Sequence, residues 1–281
     1  MHPAGPRVLD LIAILVVTGA VVGFTAALLG VGGGFIMVPV MYWAISGTGV
    51  ADNIALLTTF GTSLLVIVPT VLSSTWRHHK NRAVIWRVAV TIGACGALGA
   101  LGGSTLATYL PVGILKVGFG VLMLVISARM LIGLDAEKAA CELEALPRML
   151  HMVALGLVMG VISGLTGLGG GALMVPALVL LFRFPMLRAI ATSSAAIIFT
   201  APGGIVGYIV NGLGVAGRLP YSIGYVNLAV WLAVVLLSVP MAQIGAKAAH
   251  AMDARRLRLL FVVLMVYVGL RMIGVFEWVG L

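Results

Sequence analysis

The chain alternates long apolar stretches with short polar breaks, and this pattern alone predicts most of its elements. Apolar runs cover residues 9–29, 34–46, 53–75, 84–106 and 111–133, and then 150–166, 172–182, 188–211, 224–246 and 255–275. Several hold about 20 residues, the length an α-helix needs to cross a hydrocarbon core of about 30 Å. Two runs are too short for an upright crossing, 34–46 and 172–182, and both directly follow glycines. The pattern predicts an all-α integral membrane protein in which two helical hairpins are broken at glycine.

Those glycines belong to an internal repeat. Residues 23–40 read GFTAALLGVGGGFIMVPV and residues 160–177 read GVISGLTGLGGGALMVPA, with a shared core G-[VL]-G-G-G-x-x-M-V-P. Thr62-Ser63 follows the first copy and Thr192-Ser193 the second. Arg129-Met-Leu-Ile-Gly133 closes one half as Arg271-Met-Ile-Gly274 closes the other. The expected organisation is an N-terminal transmembrane repeat (1–133), a charged linker (134–149) and a C-terminal repeat (150–281). The linker holds Asp135, Glu137, Glu142 and Glu144, four of the eight acids. A mid-chain copy of the segment also argues against a cleaved signal peptide at the N-terminus.

Charge sets the expected topology. Arg77, Lys80, Arg82 and Arg87 make the 76–87 loop basic, which places it in the cytoplasm. Two more spans return the linker there. If each glycine-broken pair is a returning hairpin, Arg183, Arg188, Lys247, Arg255, Arg256 and Arg258 fall on the same side, and both termini lie outside. A single crossing per pair would instead turn the 247–258 cluster outward. The hairpins then enter from opposite faces, so the halves are inverted repeats, each a broken hairpin plus three transmembrane helices. Inverted repeats with broken helices near the midplane are the architecture of secondary transporters.

Composition agrees and excludes other classes. The 281 residues are 62% hydrophobic and 9% charged, far from the roughly 25% charged residues of a soluble domain. The net charge of +9 is read as topogenic, and no nucleic-acid partner is expected. Cys95 and Cys141 form neither a disulfide framework nor a CxxC site. No metal site, cofactor or catalytic residue is expected. All five His (2, 78, 79, 151, 250) fall at segment ends or in loops, and Ser193-Ser194 has no His in its span to act as a base.

The duplicated glycine-proline motif, the Thr-Ser after each copy and Ser-Ser-Thr-Trp-Arg-His-His-Lys at 73–80 resemble the sulfite exporter TauE/SafE family of membrane permeases, over about residues 10 to 275. The resemblance implies export of sulfite, organosulfonates or related small sulfur-containing anions across the bacterial cytoplasmic (inner) membrane. A passive anion channel, or a permease of the same fold for another small solute, remains the alternative. The sequence leaves oligomeric state, direction and coupling ion open.

The residues support an anionic substrate in a lipid-embedded protein. The apolar spans hold no central Lys or Arg, so recognition falls to backbone amides at the glycine breaks. Gly32, Gly33 and Gly34 with Gly169, Gly170 and Gly171 are the candidate nests, and Pro39 and Pro176 the candidate kinks of the short helices. Thr62, Ser63, Thr192, Ser193 and Ser194 are candidate hydroxyl donors. Gln243, the only Gln in the chain, is a candidate for lining the path. For each the alternative is helix packing or an interhelical bond. Gly19-x-x-x-Gly23, the Gly156, Gly160, Gly164 series and Gly203-x-x-x-Gly207 are read as packing faces. Asn211 and Asn227 are read as caps or interface residues.

Overall fold

The computed structural model describes residues 8–132 and 148–274, so most of the charged linker lies outside the described residues. The helices are α1 (Val8–Leu29), α2 (Gly34–Ser46), α3 (Asp52–Lys80), α4 (Trp86–Ala107), α5 (Val112–Ile132), α6 (Met149–Thr166), α7 (Gly171–Phe182), α8 (Met186–Gly212), α9 (Leu228–Ala251) and α10 (Ala254–Ile273). Five of them, α3, α4, α6, α8 and α9, are long and apolar enough among the described residues to cross a membrane.

The described residues are mostly helical, as the apolar pattern predicts, and two helix boundaries are corrected. Before α9 the chain makes a small antiparallel ladder, β1 (Ser222–Ile223) against β2 (Val226–Asn227). Gly224, at φ 58°, permits its two-residue turn. The ninth helix therefore starts at Leu228, four residues later than its apolar run, and Asn227 caps it by accepting from the Val230 amide at 2.9 Å. The third helix also outruns its apolar stretch. It continues through Trp76-Arg77-His78-His79-Lys80, because basic side chains in a last turn complement the helix dipole. The connection that follows is only 81–85.

The short helices match their apolar runs closely, with 13 residues in α2 and 12 in α7. Each begins at a glycine break whose backbone is left-handed. Gly30, Gly32 and Gly33 have φ of 70°, 78° and 77°, and Gly167, Gly169 and Gly170 have φ of 69°, 73° and 76°. Six such residues suit only glycine, since a Cβ there costs about 1–2 kcal/mol. The break turns the chain back on itself. A Cβ on Gly33 would lie 2.5 Å from Val22 Cγ1, and one on Gly170 would lie 3.2 Å from the Met159 carbonyl oxygen. Pro39 and Pro176 each lie inside the short helix, where proline removes an amide donor.

Packing between the first five helices and the last five is crosswise. The chief contacts join α1 to α9, α4 to α6, α4 to α8, α3 to α9, α3 to α8 and α5 to α10. The closest approach is glycine on backbone. Added Cβ atoms on Gly156, Gly160 and Gly164 of α6 would strike the carbonyls of Ile92, Gly96 and Ala100 on α4. Gly99 and Gly103 of α4 would strike Leu157 and Val161 in return. Lipid tails are as apolar as leucine, so such tight van der Waals contact is what holds helices together in a bilayer. Of the five long apolar helices α3 and α8 are the most enclosed, their first halves buried without a break from Ala55 to Leu64 and from Ala189 to Ile197.

Candidate functional site

The two glycine breaks meet in the core. A Cβ on Gly34 would lie 2.8 Å from Leu168 Cα, and one on Gly171 would lie 2.7 Å from the Val31 carbonyl carbon. Each turn thus touches the residue just ahead of the glycines in the other. Ile67 of α3 and Ile197 of α8 fill the remaining space. Both flank Gly32, with Ile67 Cγ2 at 3.0 Å and Ile197 Cδ1 at 3.6 Å from its added Cβ, and both flank Gly169, at 3.3 Å and 3.1 Å. In this conformation the crossing is closed by backbone and two isoleucines.

The Thr-Ser pairs follow the glycine motifs on α3 and α8, one helical turn before those isoleucines, and all four side chains are buried. Ser63 Oγ donates to the Gly167 carbonyl at 2.5 Å and Ser193 Oγ to the Gly30 carbonyl at 2.9 Å. Each serine holds the first left-handed glycine of the opposite hairpin. Thr62 Oγ1 accepts from the Asn227 amide at 2.9 Å, and Thr192 Oγ1 accepts from the Ile85 amide at 3.1 Å. Asn227 and Ile85 are the residues immediately before α9 and α4. The threonines therefore anchor helix starts across the molecule, and a hydroxyl that accepts can still donate.

Other candidates fall differently. Ser194 is fully buried, and its Oγ has no hydrogen-bond partner. Gln243 lies away from the glycine crossing. Its Nε2 donates to the carbonyl and the hydroxyl of Ser73, at 2.5 and 2.9 Å, and its Oε1 accepts from Arg77 Nε at 3.4 Å. Ser73 is six residues beyond Ile67 on α3, a displacement of about 9 Å at 1.5 Å per residue. Asn211 donates to Thr105 Oγ1 at 3.0 Å and to the Gly207 carbonyl at 2.7 Å, an interface role.

Residues that sequence reasoning passed over complete the picture. The fully buried Tyr208 donates from its hydroxyl to the Gly164 carbonyl at 2.5 Å. His78, also fully buried, pairs through Nδ1 with His250 Nε2 at 3.0 Å, joining the ends of α3 and α9. One signal was available: Ile67 and Ile197 each stand four residues after the motif serine, on the same helix face. Nothing in the sequence marks His78 and His250 as a pair. Among the described residues no group of three or more His, Cys, Asp or Glu is placed to hold a metal.

A helical bundle with membrane-spanning helices, broken where two glycine turns meet, defines this chain as a polytopic integral membrane protein. The family model described as Sulfite exporter TauE/SafE matches residues 15–272. The chain belongs to that family, and it is a membrane transport protein. It is similar to a protein of Methanocaldococcus jannaschii named as a probable membrane transporter, 27% identical over 264 residues that cover 94% of this chain and 96% of the relative. A Bacillus subtilis relative of the same description is 29% identical and covers 93% of this chain and 95% of its own length. A third, from Haemophilus influenzae, is 26% identical over 93% and 97%. No solved structure gives a significant match.

Proposed function

We propose that the protein is a secondary transporter, working as an exporter of small sulfur-containing anions such as sulfite or organosulfonates, in the cytoplasmic membrane. Residues 1–133 and 150–281 are the two repeats, inverted in the bilayer and joined by a cytoplasmic linker at 134–149. The substrate binds where the glycine turns cross. Its oxygens take hydrogen bonds from the amides of Gly32–Gly34 and Gly169–Gly171, which lie at the starts of α2 and α7, where the first amides have no intrahelical acceptor. Thr62, Thr192 and Ser194 add hydroxyls. Two hairpins that meet at their glycine turns can separate toward one face or the other, which is what alternating access requires.

The single observation that carries this reading is the reciprocal pair of serine bonds, Ser63 to Gly167 and Ser193 to Gly30, tying each hairpin to the opposite long helix. The family supplies the substrate class. Desolvating a divalent anion with neutral donors alone is costly, so a monovalent form is preferred at the crossing. The test is flux into liposomes holding the purified protein, without ATP, across sulfite, sulfoacetate, taurine and chloride at two pH values. Saturable flux of a sulfur anion is expected. Cation flux with no response to any of these anions defeats the reading, and flux linear in concentration indicates a channel.

A further inference from the structure

The crossing of the glycine turns offers dipoles and hydroxyls but no formal positive charge. Such charge stands elsewhere, at the end of α3. Here a cavity of about 400 Å³ is lined by Trp76, Arg77, Lys80, Asn81 and Gln243. That size falls within the about 300–1,000 Å³ of small-molecule sites. Its lining combines two cations, two amides and an indole, with no carboxylate. Among the described residues the one ion pair is Arg256 with Asp253, on α10 and its cap, so no acid of the described chain neutralises Arg77 or Lys80.

The recess is also ordered from behind. Gln243 is fixed by its two bonds to Ser73, and its Oε1 takes the Arg77 Nε hydrogen, which orients the guanidinium. A guanidinium held at Nε still offers its terminal N–H groups, the fork that meets two oxygens of one oxyanion. The Lys80 ammonium stands 5.2 Å from the centroid of the Trp76 ring, which forms the apolar wall of the same recess. Two like charges in a shared pocket repel, and an anion between them turns that repulsion into attraction.

We propose that this recess is an oxyanion-binding site that concentrates the sulfonate or sulfite group ahead of the glycine crossing. Arg77 grips two oxygens, Lys80 supplies the second charge, and the Asn81 and Gln243 amides complete the contacts. The inference rests on the transport reading above and adds the charged station that the membrane interior lacks. By the basic-loop rule this end of α3 faces the cytoplasm, so the station stands on the side from which an exporter loads. A lipid phosphate has the same chemistry, and the experiment separates the two sources.

The full-length protein in nanodiscs of neutral phosphatidylcholine is titrated calorimetrically with sulfoacetate and, separately, with sulfite. Three forms are compared: the native chain, the Arg77→Gln/Lys80→Gln double variant, and an Arg255→Gln/Arg256→Gln variant that loses the same charge from exposed positions. At least tenfold weaker binding in the first variant and near-native binding in the second is expected. A fourth form, Arg77→Lys with intact Lys80, gives intermediate affinity because it keeps the charge and loses the fork, and unfolding temperatures confirm that all four forms are folded. Equal affinity in the native and Arg77→Gln/Lys80→Gln proteins overturns the site but leaves the transport reading intact. An absence of sulfoacetate and sulfite binding to the native chain overturns both. Repeating the titration with phosphatidylglycerol in the disc identifies the source. Unchanged affinity assigns the recess to the free anion, and competition that disappears in the double variant assigns it to the lipid phosphate.

Discussion

Ser63 and Ser193 make the same bond in opposite directions across the molecule, the first to the Gly167 carbonyl and the second to the Gly30 carbonyl. Both acceptors belong to left-handed residues at the end of a helix, where carbonyls lack an intrahelical partner. Each serine therefore satisfies an otherwise orphaned group and fixes the depth of the opposing hairpin. Ser63→Ala or Ser193→Ala is expected to cost about 1–3 kcal/mol, the penalty for an unsatisfied buried carbonyl. Unfolding of each variant in detergent checks this, and an unchanged midpoint in both would show that the bonds do not hold the hairpins.

The glycine turns should tolerate no side chain. Gly33→Leu and Gly170→Leu are expected to abolish transport while the protein still reaches the membrane. The surroundings further predict unequal effects of the smaller change. An alanine methyl at 33 falls on Val22 Cγ1 at 2.5 Å, whereas at 170 its nearest neighbour is 3.2 Å away. Gly33→Ala should therefore lower stability more than Gly170→Ala, with each also carrying the left-handed penalty of about 1–2 kcal/mol. Quantified membrane levels and liposome flux measured side by side test both statements.

Ile67 and Ile197 close the space between the turns, so shortening them should open it. Ile67→Ala combined with Ile197→Ala is expected to raise anion leak through reconstituted protein and weaken its saturation. Flux as low and as saturable as in the native protein would place the barrier elsewhere.

The His78–His250 bond joins α3 and α9 at their ends. Interhelical polar bonds in membranes contribute about 0.6–2 kcal/mol. His250→Ala should destabilise by about 1 kcal/mol, and His250→Gln, whose amide can still bond an imidazole, should recover part of it. Thermal unfolding of the two variants provides the comparison.

Topology is open to direct measurement. Single cysteines are introduced at Arg82 and Ala216, both exposed, in a background lacking Cys95 and Cys141. A membrane-impermeant thiol reagent should reach Ala216→Cys from outside and Arg82→Cys only after the membrane is opened. Labelling of both from one side contradicts the inverted arrangement.

Local chemistry was legible in the chain itself. Apolar run lengths located the helices because a bilayer demands about 20 apolar residues per crossing and full internal satisfaction of the backbone. The GGG breaks were legible because several adjacent glycines both disfavour helix and permit positive φ. The glycine stripe on α6 announced close packing, since spacing by four places its members on one face. Where polarity, not hydrophobicity, drew a boundary, the reading slipped: α3 gained a turn of basic residues, and α9 lost its start to a small ladder around Gly224. Pairings between distant residues were decided only by the tertiary structure. Ser63 and Gly167 stand 104 positions apart, and Gln243 and Ser73 stand 170 apart. A hydroxyl or amide advertises that it needs a partner but not which one. That choice is made when helices from the two ends of the chain pack crosswise and bring a distant acceptor within reach.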